Sequence, residues 1–295
     1  MTSREQEASE LLKRHTIKEN VFPSPDEAVL RLADEKPLSI YLGIDPTASS
    51  LHLGHTVPLF FLERIRRLGH RPIIVIGDFT ARIGDPTEKE SARKVLSPQE
   101  IEQNMKSYIE QIEKIIPKGS FDVRYNSEWL ANMTLQDVVA LAGRVTVQQM
   151  LARDMFQRRM KEEKPIFLHE FLYPLMQGYD SVALKTDGDV GGNDQVFNML
   201  VGRELEKEML GKDKLVFAVR LLVDASTGKK LSKSERGLVW LSDLPKNMYD
   251  NILNTIPDEM IKTVFELCTG LKYKEIDKID EQYREKPREY KIKLA

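Results

Sequence analysis

One cysteine in 295 residues, Cys268, leaves no partner for an internal disulfide and no basis for a multi-cysteine metal site. It sits in the apolar stretch "VFELCTG", where a buried, inert thiol is expected. Long apolar runs are missing too, and no stretch approaches the roughly 18 residues that could span a bilayer. The N-terminal "MTSREQEASELLKRH" alternates charge and has no apolar core, so it resembles neither a secretory signal nor a transit peptide. A cytoplasmic location without membrane contact is expected. Net charge is equally scarce: 44 basic against 46 acidic residues give −2, which excludes a global basic surface for nucleic acid. Any polyanion must be held by local clusters, of which "ERIRRLGHR" (63–71) and "GKKLSKSERG" (228–237) are the most basic. The first also suits an ordinary helix end, where Arg, His and Gly belong in a last turn and cap.

The apolar content of 41% and charged content of 31% are those of a globular chain, long enough for one large domain or two ordinary ones. Leu38 to Ile44 reads as a buried strand, "HTVPLFFLERIRRLG" as a helix ending at Gly69, and "RPIIVIGDFT" as a second strand. Strand, helix, strand is a βαβ unit, and its crossover implies a parallel sheet. Ser97 and Glu100 form a capping-box pattern opening a helix that carries Ile101, Met105, Tyr108, Ile109, Ile112 and Ile116 toward Pro117. "FDVRYN" is a further strand, and about 127–179 is helical and irregular, like an insertion. "SVALKTD" then reads as strand, "NDQVFNMLVGRELEKEML" as helix and "LVFAVRLLVD" as strand, before short helical segments punctuated by Pro245 and Pro257. The fold expected is α/β. A doubly wound, parallel, Rossmann-like sheet occupies 1–226, with the helical connective insertion at about 127–179. A lysine loop follows at 227–240, and a small all-helical domain at 241–295.

Open parallel sheets bind ligands beyond the carboxyl ends of their strands. Those positions here are rich in chemistry: Gly43, Asp45 and Thr47; Gly77, Thr80 and Asp85; Asn126; Gly191, Gly192, Asp194 and Gln195; then Asp224 and the lysine loop. In "HLGH", His52 and His55 are three apart, beside the unpaired N–H groups of a helix start. That arrangement suits an anion, and Gly54 leaves room for a flat ring against the backbone. It suits an ordinary helix start equally well. Zinc is the weaker reading, because a helical metal pair is spaced His-x-x-x-His and works with a nearby carboxylate. In "KLSKS", Lys230 and Lys233 flank Leu231 and Ser232, followed by Ser234. The loop fits a polyphosphate, and it equally fits a solvated charge run.

Taken together, HLGH on the first crossover helix and KLSKS after the last strand resemble the class I aminoacyl-tRNA synthetases. "YLGIDPTASSLHLGH", "GDFTARIGDPTEK", "YPLMQGYD" and "GGNDQVFN" are similar to the tyrosyl-tRNA synthetase pattern, in order and over essentially the whole chain. The resemblance implies activation of L-tyrosine by ATP and transfer to tRNA. It implies that Tyr41 and Asp180 meet the phenol hydroxyl, while Tyr173, Gln177, Asp85 and Asn126 hold the ammonium end with Thr80 close by. The spacing of Tyr173, Gln177 and Asp180 independently puts them on one helical face. The resemblance places Gly43, Asp45, Gly54, Gly191, Gly192, Asp194 and Gln195 around the nucleotide. Thr47, His52 and His55 would face its phosphates, and Lys89, Arg93, Lys230 and Lys233 the departing pyrophosphate, with Leu231, Ser232 and Ser234 lining the loop. Leu42 offers no side-chain contact to ribose.

Such a site works by positioning and charge stabilisation, with Mg²⁺ carried by ATP and no protein cage for a metal. A phenol-binding pair that phenylalanine would leave unpaired needs no editing domain; the discrimination of about 10⁵-fold is the one established for tyrosyl-tRNA synthetases themselves. The resemblance also implies a homodimer formed through the insertion. Bacterial members continue beyond the position of Ala295 into a small RNA-binding domain, so a shortened form is expected. Three rivals were weighed. A tryptophanyl enzyme is disfavoured by Tyr41 with Asp180, and a small nucleotidylyltransferase by GGNDQ and KLSKS. A non-charging RNA-binding paralogue is disfavoured by the full complement of site residues.

Overall fold

The computed structural model describes residues 1–87, 96–223, 230–231 and 238–295. Its strands are β1 (Thr16–Phe22), β2 (Ser39–Ile44), β3 (Arg71–Ile76), β4 (Asp122–Tyr125), β5 (Gly188–Gly192) and β6 (Leu215–Val219). They form one sheet in the order β1-β6-β5-β2-β3-β4. All pairs are parallel except the edge pair β1–β6. The chain winds outward from β2 through β3 to β4, returns to β5 beside β2, and winds the other way to β6. The direction therefore switches between β2 and β5, whose carboxyl ends open a crevice.

Before the insertion come α1 (Ser3–His15), α2 (Pro25–Ala33), α3 (Leu53–Arg67), α4 (Pro98–Met105) and α5 (Tyr108–Ile112). The insertion holds α6 (Ser127–Leu130), α7 (Leu135–Ala142), α8 (Val147–Leu151) and α9 (Asp154–Lys161). Then follow α10 (Leu172–Leu184), α11 (Val196–Leu210), α12 (Pro245–Thr255), α13 (Ile261–Cys268), α14 (Tyr273–Tyr283) and α15 (Pro287–Leu294). One sheet face, with Ile40, Leu42 and Ile44 of β2, shares a continuous apolar core with α1, α3 and the C-terminal helices through Phe61, Phe265, Ile276 and Tyr290. The other carries α10 and α11, whose Gly178 and Gly202 meet backbone to backbone. A Cβ on Gly178 would stand 3.0 Å from the Gly202 amide nitrogen.

Several boundaries differ from the sequence reading. "SVALKTD" is not a strand: residues 181–184 complete α10, which ends at Lys185 in the left-handed conformation, and β5 begins at Gly188. The strand itself is "GDVGG", whose glycines hide it from any propensity. Gly188 is required there, because a Cβ would lie 3.2 Å from Ile40 Cγ1 and 3.4 Å from Phe217 Cε2. The long helix after Ser97 is two helices. They break where Ser107 Oγ donates to the Ser49 carbonyl (3.0 Å) and the Tyr108 hydroxyl to that of Ala48 (2.7 Å), pinning the loop after β2. β3 stops at Ile76 and β6 at Val219, short of the full runs "RPIIVIGDFT" and "LVFAVRLLVD". The N-terminal α1, β1 and α2 were not anticipated, since "TIKENVF" is polar at its centre and borrows its order from the edge of β6. Among the described residues no helix is long and apolar enough to cross a membrane.

Candidate functional site

The crevice between β2 and β5 opens into a cavity of about 350 Å³. Its wall takes in the ends of β2 (Gly43, Asp45, Thr47) and β5 (Gly191, Gly192, Asp194, Gln195), the start of α3, and the inward face of α10. Asp45 is the hub of one side. It accepts from Thr80 Oγ1 (2.7 Å) and from the Tyr173 hydroxyl (2.9 Å). Only glycine fits at position 77, because a Cβ there would stand 1.9 Å from Asp45 Oδ1. Asn126 donates to Thr80 Oγ1 (2.9 Å) and more loosely to Asp180 Oδ2 (3.4 Å). Asp180 also accepts from Trp129 Nε1 at 2.8 Å, and burial pushes its carboxyl well above the usual range. Across the cavity Gln195 Nε2 donates to Asp85 Oδ2 (2.7 Å), while Asn198 Nδ2 donates to Gln177 Oε1 (2.9 Å) and Gln195 Oε1 (3.0 Å).

The two histidines have a definite protonation. His52 caps α3: its Nδ1 accepts from the Gly54 amide (3.1 Å), and His55 Nδ1 accepts from the His52 amide (3.1 Å). Burial lowers His52 to about 4; burial and then the neighbouring His52 lower His55 to about 3. Both rings are therefore neutral near pH 7, and with Nδ1 accepting, each proton lies on Nε2. The flat ring against Gly54 is that of His52 itself, whose Cε1 would be 2.9 Å from an added Cβ. Behind this helix start, Leu53 N donates to the Val239 carbonyl (2.9 Å), tying α3 to the chain that follows the lysine loop. Lys230 reaches Asp194 at 3.0 Å, and Leu231 N pairs with the Leu222 carbonyl at 2.8 Å. Lys89, Arg93, Ser232, Lys233 and Ser234, like Asp224, lie outside the described residues.

Tyr41 lies behind the cavity wall, 1% exposed, with its hydroxyl on Asp189 Oδ2 (2.9 Å) and Ser181 Oγ (3.0 Å). Asp189 does line the cavity, and its cation is the fully buried Lys214 (2.9 Å). None of Asp189, Ser181, Lys214, Trp129 or Asn198 was singled out in sequence. The one available signal was a charged residue in the middle of a strand flanked by glycines.

Beside Lys214 stands Glu206, fully buried, with no hydrogen-bond partner on either carboxylate oxygen among the described residues. Burial lifts its carboxyl from 4.5 to about 7 against the opposing pull of Lys214 and then Lys212. Because the folded state holds this proton more tightly than the unfolded chain, the associated stability is full below about 4.5 and is lost as the pH rises through about 7. Glu206→Gln is expected to gain about 1–2 kcal/mol over the parent between pH 5 and pH 8, read as a widening Tm difference. Equal Tm differences at both pH values would refute the assignment.

A parallel sheet with this switch point, a histidine-capped first crossover helix and a carboxylate-lined cavity defines a class. The chain matches the family model described as "tRNA synthetases class I (W and Y)" over residues 33–295, and it belongs to that family. Within it, the chain belongs with the tyrosine–tRNA ligases. It is 45% identical to that of Carboxydothermus hydrogenoformans over 90% of this chain and 65% of the relative. It is 43% identical to that of Coxiella burnetii over 98% of this chain and 72% of the relative. The chain thus spans roughly two thirds of the length of these curated relatives. The fold is similar to that of a C-terminally truncated mitochondrial tyrosyl-tRNA synthetase of Coccidioides posadasii, with a TM-score of 0.78 at 24% identity over 99% of this chain and 87% of that one. It is also similar to a tyrosyl-tRNA synthetase of Archaeoglobus fulgidus complexed with L-tyrosine, with a TM-score of 0.75 at 19% identity over 98% and 94%.

Proposed function

We propose that this chain activates L-tyrosine with ATP to tyrosyl-adenylate and pyrophosphate, and passes the tyrosyl group to the 3′ end of its tRNA. One observation carries the proposal. A single cavity joins a buried carboxylate end, Asp180 with Tyr173 and Asn126, to a helix start whose two neutral imidazoles stand opposite Lys230. An amino acid seated at the first end has its carboxylate directed toward a nucleotide α-phosphate at the second.

In this reading the phenol meets Asp180 and the group around Tyr41. The ammonium meets Tyr173, Gln177, Asp85 and Asn126, with Thr80 bracing Asn126. Asp45, Gly43, Gly54, Gly191, Gly192, Asp194 and Gln195 hold the ribose and α-phosphate. The Nε2–H groups of His52 and His55, with Thr47, donate to phosphate oxygens, where fixed donors in a sheltered site stabilise developing charge. Lys230, Lys233, Lys89 and Arg93 draw off the pyrophosphate, with Leu231, Ser232 and Ser234 shaping the loop, and Mg²⁺ arrives with ATP. The division into a catalytic unit (1–226), a lysine loop (227–240) and an anticodon-side helical unit (241–295) belongs to the same proposal. So does a homodimer. Leu135, Val139, Val147, Met160, Phe167 and Leu168 of the insertion are all exposed, an apolar surface that a second copy would cover.

The test is ATP/pyrophosphate exchange on this chain with tyrosine, phenylalanine or tryptophan. Exchange is expected with tyrosine, at a kcat/KM about 10⁴-fold or more above phenylalanine. Absence of tyrosine-dependent exchange overturns the activity, and exchange driven by tryptophan overturns the specificity.

A further inference from the structure

Beneath the phenol end of the cavity lies a closed polar cluster that the proposed chemistry does not use. Lys214, at the foot of β6, places its ammonium 2.9 Å from Asp189 Oδ2 and in hydrogen bond with Ser181 Oγ. The Tyr41 hydroxyl completes the ring, 3.0 Å from Ser181 Oγ and 2.9 Å from the same Asp189 oxygen. Tyr41, Ser181, Asp189 and Lys214 are each 2% exposed or less. Room for the ammonium is made by Gly202, where a Cβ would lie 2.9 Å from both Lys214 Nζ and Ser181 Oγ. A buried ion pair gains little stability over an apolar filling of the same volume. Its place against the cavity wall therefore calls for a positional explanation.

We infer that Asp189, held by Lys214 and Ser181, is a further specificity-determining group, acting through the direction it imposes on the Tyr41 hydroxyl. The bookkeeping of hydrogens is forced. An ammonium only donates, so Ser181 Oγ accepts from Lys214 and must give its own hydrogen to the Tyr41 oxygen. Asp189 only accepts in its ion pair, so the single hydrogen of Tyr41 goes to Asp189. Tyr41 therefore meets an incoming hydroxyl as an acceptor and cannot turn to donate. A phenol O–H satisfies that geometry; a ring C–H leaves it unmet, and an unmet buried polar group is what makes rejection severe. Without Lys214, Ser181 is free to accept from Tyr41, the hydroxyl has two orientations, and the demand for a phenol relaxes. Asp189 and Tyr41 act together on selectivity, while Lys214 and Ser181 are positioning residues.

The inference rests on the tyrosine-activating reading. The experiment uses the full chain carrying Lys214→Met, with Asp189→Asn/Lys214→Met as a second variant in which both charges leave together and the fold is spared an unpaired carboxylate. Tyrosine and phenylalanine binding by calorimetry accompanies pyrophosphate exchange. The tyrosine-to-phenylalanine ratio is expected to fall about 10- to 100-fold, carried by a raised tyrosine KM and Kd, with the ATP KM and kcat changing less than about threefold. A folded variant with an unchanged ratio overturns the relay. A parallel loss in tyrosine KM, ATP KM and kcat also overturns it, since that is what general loosening would produce. If the unaltered chain shows no exchange, the activity falls, and the calorimetric ratio still decides the relay.

Discussion

Asp180→Ala is expected to lower kcat/KM for tyrosine in pyrophosphate exchange by about 10³-fold and to bring phenylalanine within about 10²-fold of tyrosine. Two donors converge on this carboxylate, Trp129 Nε1 at 2.8 Å and Asn126 Nδ2 at 3.4 Å, and the side chain is 3% exposed. Removing it strips the buried end of its acceptor and leaves both donors facing an apolar hole, which favours a bare ring over a hydroxylated one. Selectivity should collapse while the ATP KM holds, because the nucleotide contacts lie at the other end of the cavity. Discrimination preserved in a folded Asp180→Ala protein would remove Asp180 from the phenol site. The neighbouring Asp189 would then carry the burden alone.

The second large effect concerns stability. Arg159 and Glu170 form a two-pronged ion pair inside the insertion, 2.5 Å and 2.9 Å between partner atoms, with side chains 1% and 5% exposed. The same guanidinium also bonds the Pro165 carbonyl, and Glu170 accepts from the Phe167 amide at 2.9 Å. Arg159→Leu leaves a buried carboxylate with no cation, at an expected cost of about 3–5 kcal/mol in urea unfolding. Arg159→Leu/Glu170→Leu removes both charges and is expected to recover most of that loss, since replacing a whole buried pair is close to neutral. A single variant within about 1 kcal/mol of the parent would show that water reaches Glu170.

How much of this was legible in sequence follows from which forces are local. The βαβ unit around α3, the capping box at Ser97 and Glu100, and the helical face of Tyr173, Gln177 and Asp180 depend on periodicity and caps, and all are present as helices or strands. β5 was invisible because its strand character comes from two neighbours, β2 and β6, and not from its own "GDVGG". α10 was cut short for the converse reason. Val182, Ala183 and Leu184 suit a strand or a helix, and the packing of Gly178 on Gly202 decides for the helix.

By itself the sequence determined the fold class, the motifs HLGH and KLSKS, and the family that their joint occurrence implies, because these rest on residue identity and short spacing. Only the tertiary structure decided the rest. It made both histidines neutral with their protons on Nε2, since burial and the backbone N–H donors are contributed by the folded helix start. It also turned the Tyr41 hydroxyl toward Asp189, through a lysine that lies 173 positions away in number but at hydrogen-bond distance from that carboxylate. Charges so far apart in the chain acquire a common geometry only when the sheet brings β2, β5 and β6 side by side.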